Sequence, residues 1–333
     1  MKQTTFASLA WAGKKKQTKR EKFLDEMDKV VPWGTIVGLI EPHYPKAGNG
    51  RRPIGLERML RIYFLQQWYG LSDPGMEEAL YDMESLRRFA GIDLGEQEIP
   101  DETTILNFRR LLEKHQLTEK LWEEVNGYLS EKKFLLRQGT IVDATLIAAP
   151  SSTKNKDKKR DGEMSSTKKG NNYHFGMKVH TGTDSQSGLV HTVKVTTASV
   201  HDKQEMEALL HGEEKAVFGD KGYFSDQDKR SARKTGLFWG VLDKAKSKKR
   251  LSHKQMRRNR KLSSVRAKVE HPFRVVKRQF GYIKTRYRGL KHLRPHRWMV
   301  HHSKLTPRRM LCCVSTAEFR LFSFRRRGKS WLD

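Results

Sequence analysis

The stretch Thr140-Ile141-Val142-Asp143-Ala144-Thr145-Leu146-Ile147 is built almost wholly from β-branched and apolar residues. With no alternating polar side, it has the pattern of a strand buried on both faces of a sheet. Asp143 stands in its middle. An ionised carboxylate among Ile141, Val142, Ala144 and Leu146 loses several kcal/mol of hydration unless a cation or hydrogen-bond donors meet it. Asp143 is therefore expected either to ligate a metal or to accept backbone N–H bonds.

Downstream, residues 173–181 and 189–196 read as an antiparallel pair joined by the Asp, Ser and Gly residues of 184–188. Residues 201–210 carry a helical pattern, 216–219 a short strand, 225 onward a polar helix and 237–242 another strand. With a last helix around Glu270 the order is βββαβαβα, a mixed α/β arrangement. Asp220 follows the short strand in Phe-Gly-Asp-Lys-Gly-Tyr, where Gly219 and Gly222 permit a tight bend. That turn can aim Asp220 toward Asp143, although the same residues also make an ordinary surface turn. Glu270 lies in the segment 265–277, where Val265, Val269, Phe273 and Val276 form a helical stripe and Arg266, Glu270 and Lys277 an adjacent face. Its alternative role is an i, i+4 ion pair with Arg266. Pro272 is expected to start a new helix near His271 or to kink a longer one.

One acid on the first strand, one after the fourth and one on the last helix make a more specific set than any of them alone. Three carboxylates suit two hard cations such as Mg²⁺, with Mn²⁺ a substitute, because such ions take oxygen ligands. A pair of these ions activates the attacking oxygen and stabilises the leaving oxygen in phosphoryl transfer. No histidine or cysteine cluster offers a zinc site, and the only cysteines, Cys312 and Cys313, are adjacent.

With 67 Lys and Arg against 38 Asp and Glu, the chain carries a formal net charge of +29 and attracts polyanions. Nucleic acid is the expected partner. No apolar run approaches the roughly 18 residues of a membrane span, no signal peptide is visible, and a cytoplasmic, nucleoid-associated protein is expected. Residues 1–50, with the dense charge of 14–22, read as a basic mobile arm. Residues 51–135 read as an all-helical domain. One helix spans 56–68 and ends at Gly70. Asp73 caps a second that runs to Gly91, a third starts at Asp101, and a fourth covers 118–129. Such a block is either a DNA-reading module, with Arg109 and Arg110 pointing outward, or a bundle that packs on the next domain. Two basic stretches, 154–169 with seven Lys or Arg against three acids and 244–261 with ten and none, are expected as solvated loops that track phosphates.

Several of these segments resemble a known family, the bacterial insertion-sequence transposases of the DDE type, in the group called IS-five. Leu-Glu-Arg-Met-Leu-Arg-Ile-Tyr-Phe-Leu-Gln-Gln-Trp-Tyr-Gly-Leu-Ser-Asp-Pro from Leu56 and Ile-Pro-Asp-Glu-Thr-Thr-Ile-Leu-Asn-Phe-Arg-Arg from Ile99 are similar to its N-terminal domain. Ile-Val-Asp-Ala-Thr from Ile141, Lys-Lys-Gly-Asn from Lys168, Phe-Gly-Met-Lys from Phe175, Gly-Asp-Lys-Gly-Tyr from Gly219 and Arg-Tyr-Arg-Gly-Leu from Arg286 continue the likeness. The resemblance implies a ribonuclease H-like catalytic domain over 136–290, with Asp143, Asp220 and Glu270 as catalytic metal ligands. It implies DNA contacts from Arg266, Lys277, Lys168, Lys169, Lys178, Arg286 and Arg288. Water would cut a strand at the element's terminal inverted repeat, and the freed 3′-hydroxyl would attack target DNA. A homodimer would hold two such ends. The family's usual tyrosine three residues before the arginine is replaced by Ser263. The resemblance stops after Leu290, where 291–333 form an Arg-rich tail with the look of a frameshift. A catalytically inactive DNA-binding remnant and a structure-selective nuclease of the same fold are the rival expectations.

Overall fold

The buried strand is present as β1, Gly139–Ala148, at the centre of a sheet. The computed structural model describes residues 13–49, 52–95, 97–154, 156, 158–245, 249–285 and 289. The other strands are β2 (Ser165–Lys169), β3 (Asn172–Asp184), β4 (Val190–Thr197), β5 (Ala216–Gly219) and β6 (Phe238–Val241). They order as β2-β3-β1-β5-β6, with β4 also paired to β3. β1 runs antiparallel to β3 and parallel to β5, which is parallel to β6, so the sheet is mixed. Ile141 and Val142 are both fully buried, as expected for a strand covered on two sides.

Several elements differ from expectation. The helix read from Asp73 to Gly91 breaks at Met83, whose extended backbone (φ -113, ψ 102) ends one helix at Asp82 and starts another at Glu84. Residues 201–210 form two 3-10 turns, Asp202–Glu205 and Glu207–Leu209, in place of a helix. Only Met206 and Leu209 bury there, and a three-residue spacing fits the 3-10 repeat. Residues 165–169, expected within a solvated basic loop, form β2, whose lysines stay exposed and give no apolar signal. The element order after β1 is therefore three more strands, the 3-10 turns, β5, α8 (Asp226–Lys234), β6 and α9 (His253–Arg274).

The N-terminal part is helical: α1 (Lys19–Val30), α2 (Trp33–Ile40), α3 (Leu56–Tyr69), α4 (Asp73–Asp82), α5 (Glu84–Ala90), α6 (Glu102–Lys114) and α7 (Leu117–Glu131). Gly70 and Gly91 close α3 and α5 in the left-handed conformation (φ 57 and 69), as a C-terminal glycine should. Ser72, not Asp73, caps α4, its hydroxyl accepting from the Gly75 N–H. Asp73 is thereby freed to accept from Gln66 (2.7 Å) and to pair with Arg109 (2.8 Å). The expected mobile arm holds two helices: a Thr18/Glu21 capping box starts α1, and Phe23, Leu24, Met27 and Val30 are buried. One hydrophobic cluster joins these helices to Met177 and Val179 of β3 and Val193 of β4, so helices and sheet share a core. Arg109, expected to face outward, is 8% exposed and bridges Asp73 and Glu113; Arg110 is exposed.

No helix among the described residues is long and apolar enough to cross a membrane. The tail 291–333, with Arg286 and Arg288, lies outside the described residues.

Candidate active site

Asp143 and Asp220 stand on neighbouring parallel strands. Gly139, Thr140 and Ile141 pair with Ala216, Val217 and Phe218, Asp143 follows two residues on within β1, Asp220 comes directly after β5, and the charge of Asp220 acts on Asp143. Asp220 caps the 3-10 turn Lys221–Tyr223, its Oδ1 accepting from the Gly222 N–H at 2.7 Å. Gly219 sits tightly there: a Cβ would come within 3.2 Å of Val142 Cγ2 and 3.3 Å of Tyr223, side chains that would have to shift by a few tenths of an ångström. Asp143 Oδ1 accepts from the Ala144 N–H at 2.9 Å, and Oδ2 from Arg266 at 3.2 Å. One backbone donor, of the kind expected for it, and the Arg266 guanidinium thus meet it. They do not fully compensate. Burial pushes its pKa up to about 6; the Ala144 N–H and Arg266 oppose the rise, and the nearby Asp220 and Asp202 add to it.

Helix α9 delivers the third acid. Val269 (0% exposed) and Phe273 pack with Ile141, Val265 and Phe218 against β1 and β5, which brings Arg266 to Asp143 and leaves Glu270 exposed beside it. Burying Val269 contributes roughly 2 kcal/mol, so Val269→Ala is the single change that most directly loosens this arrangement. The far end of the helix is locked by Asp243, just after β6, whose carboxylate pairs with Lys229 (2.7 Å) and Arg258 (2.9 Å), while its backbone N–H donates to the Asn259 side-chain oxygen and its carbonyl accepts from the Asn259 side-chain nitrogen. Residues 253–261 of the second basic stretch are thus helix, not loop, and Arg258 is engaged. Pro272 sits inside α9, which continues into a π turn at Val275–Gln279.

Arg266 spans the gap between acids, reaching Asp143 at 3.2 Å and Glu270 at 2.8 Å. Among the described residues no three His, Cys, Asp or Glu side chains stand together as a metal-holding group. Asp143 and Asp220 are brought together; Glu270, its side chain 61% exposed, is linked to Asp143 only through the guanidinium. The donor chemistry of the two aspartates fits a hard divalent cation, because their oxygens are hard ligands and Asp143, with its side chain 18% exposed, loses hydration without full compensation. A cation there would offset that burial, and Glu270 could join it once Arg266 gives way.

The basic residues divide. Lys168 and Lys169 are exposed on β2. Lys277 is half-buried, and burial, followed by the charge of Lys169, holds its pKa below the usual lysine range. Lys178 points elsewhere: it donates to the Val200 carbonyl (2.7 Å) and pairs with Asp202 (3.0 Å). Two residues near the acids carried no role in the sequence reading. Asp202, at the start of the first 3-10 turn, adds charge beside Asp143. Tyr223 is fully buried, its hydroxyl without a hydrogen-bond partner among the described residues, and burial, then Asp143, Asp202 and Asp220, push its phenol up. An acid at the start of an expected helix has a ready dipole explanation, which is why Asp202 gave no separate signal.

Residues 135–303 match the family described as Transposase DDE domain, and residues 13–111 match Transposase domain (DUF772). The chain belongs to the DDE transposases, enzymes of DNA cleavage and strand transfer. Two solved assemblies are similar in outline. A piggyBac transposase synaptic complex with hairpin DNA matches at 10% identity over 90% of this chain and 75% of that one, with a TM-score of 0.44. The Mos1 strand transfer complex matches at 14% identity over 82% of this chain and 81% of that one, with a TM-score of 0.26. At such scores neither likeness establishes a common fold.

Proposed function

We propose that this protein is the transposase of an insertion sequence of the IS-five group, with a ribonuclease H-like sheet that cuts DNA at the element's terminal inverted repeats and joins the freed ends to target DNA. The observation that supports this reading is the parallel pairing of β1 and β5, the strands that carry and precede Asp143 and Asp220, together with the charge of Asp220 felt at Asp143. Asp143 and Asp220 would hold the divalent ions, Mg²⁺ or Mn²⁺, with Glu270 as a third ligand. A bound metal pair supplies charge stabilisation at the attacking and leaving oxygens of an in-line displacement at phosphorus.

The chain's own residues do the rest. Arg266, released from Asp143 and Glu270, faces the phosphate and stabilises developing charge or fixes its position. Lys277, Lys168 and Lys169 hold the DNA backbone, and Arg286 and Arg288 extend the same role. Lys178, engaged by Asp202, positions the strand below the acids more readily than it grips DNA. Helices within 51–135 read the element end through exposed side chains such as Arg110, and 136–290 carry the chemistry. A homodimer processes the two ends together, and the +29 charge keeps the protein on the nucleoid.

The test is nicking of a duplex carrying the DNA that flanks this reading frame. Mg²⁺-dependent cuts at the repeats, absent in Asp143→Asn, are expected. Cuts without preference for the repeats would make the protein a structure-selective nuclease. Binding without cutting would make it an inactive remnant, the outcome expected if the tail beyond Leu290 is a frameshift that removed core-closing residues.

A further inference from the structure

We propose that the β2–β3 hairpin is an arm that grips duplex DNA about one helical turn from the carboxylate pair. This rests on the transposase reading and adds to it where the DNA must run.

The hairpin outruns the sheet. β1 ends at Ala148, opposite Gly176, and residues 172–175 of β3 go on past it with β2 as their partner. Its root is fixed. Gly176 meets β1 so closely that a Cβ would stand 2.1 Å from the Ile147 carbonyl oxygen, Met164 is buried, and Phe175 packs against the core beneath the Arg160 guanidinium (5.4 Å). Its tip is a different surface. Gly170 (φ 62) makes the two-residue turn, and Lys168, Lys169, Asn171, Asn172 and Tyr173 are exposed. There is no acid from Met164 to Lys178.

Tyr173 is the most exposed large hydrophobic residue among those described, at 76%, and Lys168 Nζ stands 5.6 Å from its ring centre. An aromatic ring kept in water beside a cation is suited to a sugar or base with a phosphate next to it. By strand alternation Tyr173 and Phe175 share the face of β3 that carries Met177, Val179 and Thr181, and Thr181 pairs with Asp143. Lys277, in the turn that follows α9, feels the charge of Lys169 on the hairpin.

Length then sets the contact. Thr181 and the tip residue Asn171 are ten residues apart, which is about 33 Å along a strand, less whatever twist removes. At about 3.4 Å per base pair, that span is nine or ten base pairs, roughly one turn. A two-stranded ribbon fits the roughly 12 Å major groove.

The experiment is hydroxyl-radical footprinting of the full chain on a duplex carrying the DNA that flanks this reading frame, with Ca²⁺ replacing Mg²⁺ to hold the uncut complex. The wild type is expected to protect one patch at the cut position and a second about one turn away. Lys168→Ala with Lys169→Ala and Tyr173→Ala should erase the second patch, keep the first, weaken binding about tenfold and lower the salt slope by about 2. Tyr173→Ala alone should weaken the second patch, and Lys168→Arg with Lys169→Arg should keep it. These side chains are exposed, so melting temperatures should match the wild type. A second patch that survives the triple substitution, or a wild type with one patch only, overturns the arm. A wild type that protects no flanking DNA overturns the transposase reading itself, and the arm with it.

Discussion

Asp184 and Asp143 lie on partnered strands of one antiparallel pair, yet their surroundings differ. Asp184 is fully buried and accepts four backbone N–H bonds, from Leu136 and Arg137 at one oxygen and Gln186 and Ser187 at the other, all between 2.7 and 3.1 Å. Asp143 has one backbone donor and one arginine, and burial drives its carboxyl up to about 6. A buried acid met by four neutral donors fastens the chain: Asp184 ties the entry to β1 to the β3–β4 turn. A largely buried acid left short of donors, beside other acids, has unfilled capacity for a cation. Within a few residues of one strand pair, structure and chemistry are thus separated.

Asp184→Ala leaves four backbone groups without their acceptor and should cost about 3 kcal/mol or more in urea unfolding; a loss below about 1 kcal/mol would remove its fastening role. Two buried histidines come next. Burial holds His180 and His191 down to about 4, so each favours the fold fully above pH 6.5 and loses that contribution as pH falls toward 4. Each is worth up to about 3 kcal/mol at about 1.4 per pKa unit, and stability measured from pH 7 to pH 4 should fall less steeply in His191→Gln and His180→Gln.

Asp143→Asn should act with the opposite sign. Its raised carboxyl favours the fold below pH 3.8 and loses that contribution as pH rises through about 6. The substitution should therefore stabilise the protein by about 2 kcal/mol at pH 8, after allowing for the lost Arg266 partner, and by nothing near pH 4. Equal stability at both pH values would mean that Asp143 is fully compensated. Glu270→Gln should change stability least, by under about 0.5 kcal/mol, because its i, i+4 pair is exposed.

Periodicity exposed much of this in the sequence. The continuous apolar run at β1, the turn residues after Asp184, the glycines closing α3 and α5 and the Val265/Val269/Phe273 stripe are local signals, and each corresponds to the element found. What escaped detection depends on distant partners. Arg109 looks like a surface arginine until Asp73, on another helix, is placed beside it. Phe23, Leu24, Met27 and Val30 were hidden among lysines and glutamates in what read as a basic arm. β2 has no apolar residue, and only its pairing to β3 makes it a strand. At the site, the acids could be located along the chain, but the arginine standing between Asp143 and Glu270 could not be separated from an ordinary helical ion pair.

Electron paramagnetic resonance of Mn²⁺ titrated into the folded chain at pH 8 tests the central claim most directly, because it reads the ion itself without DNA or turnover. The wild type should bind, Asp143→Asn and Asp220→Asn should lose that binding while staying folded, and Arg266→Gln should tighten it. Unchanged Mn²⁺ binding in both aspartate variants would contradict the account.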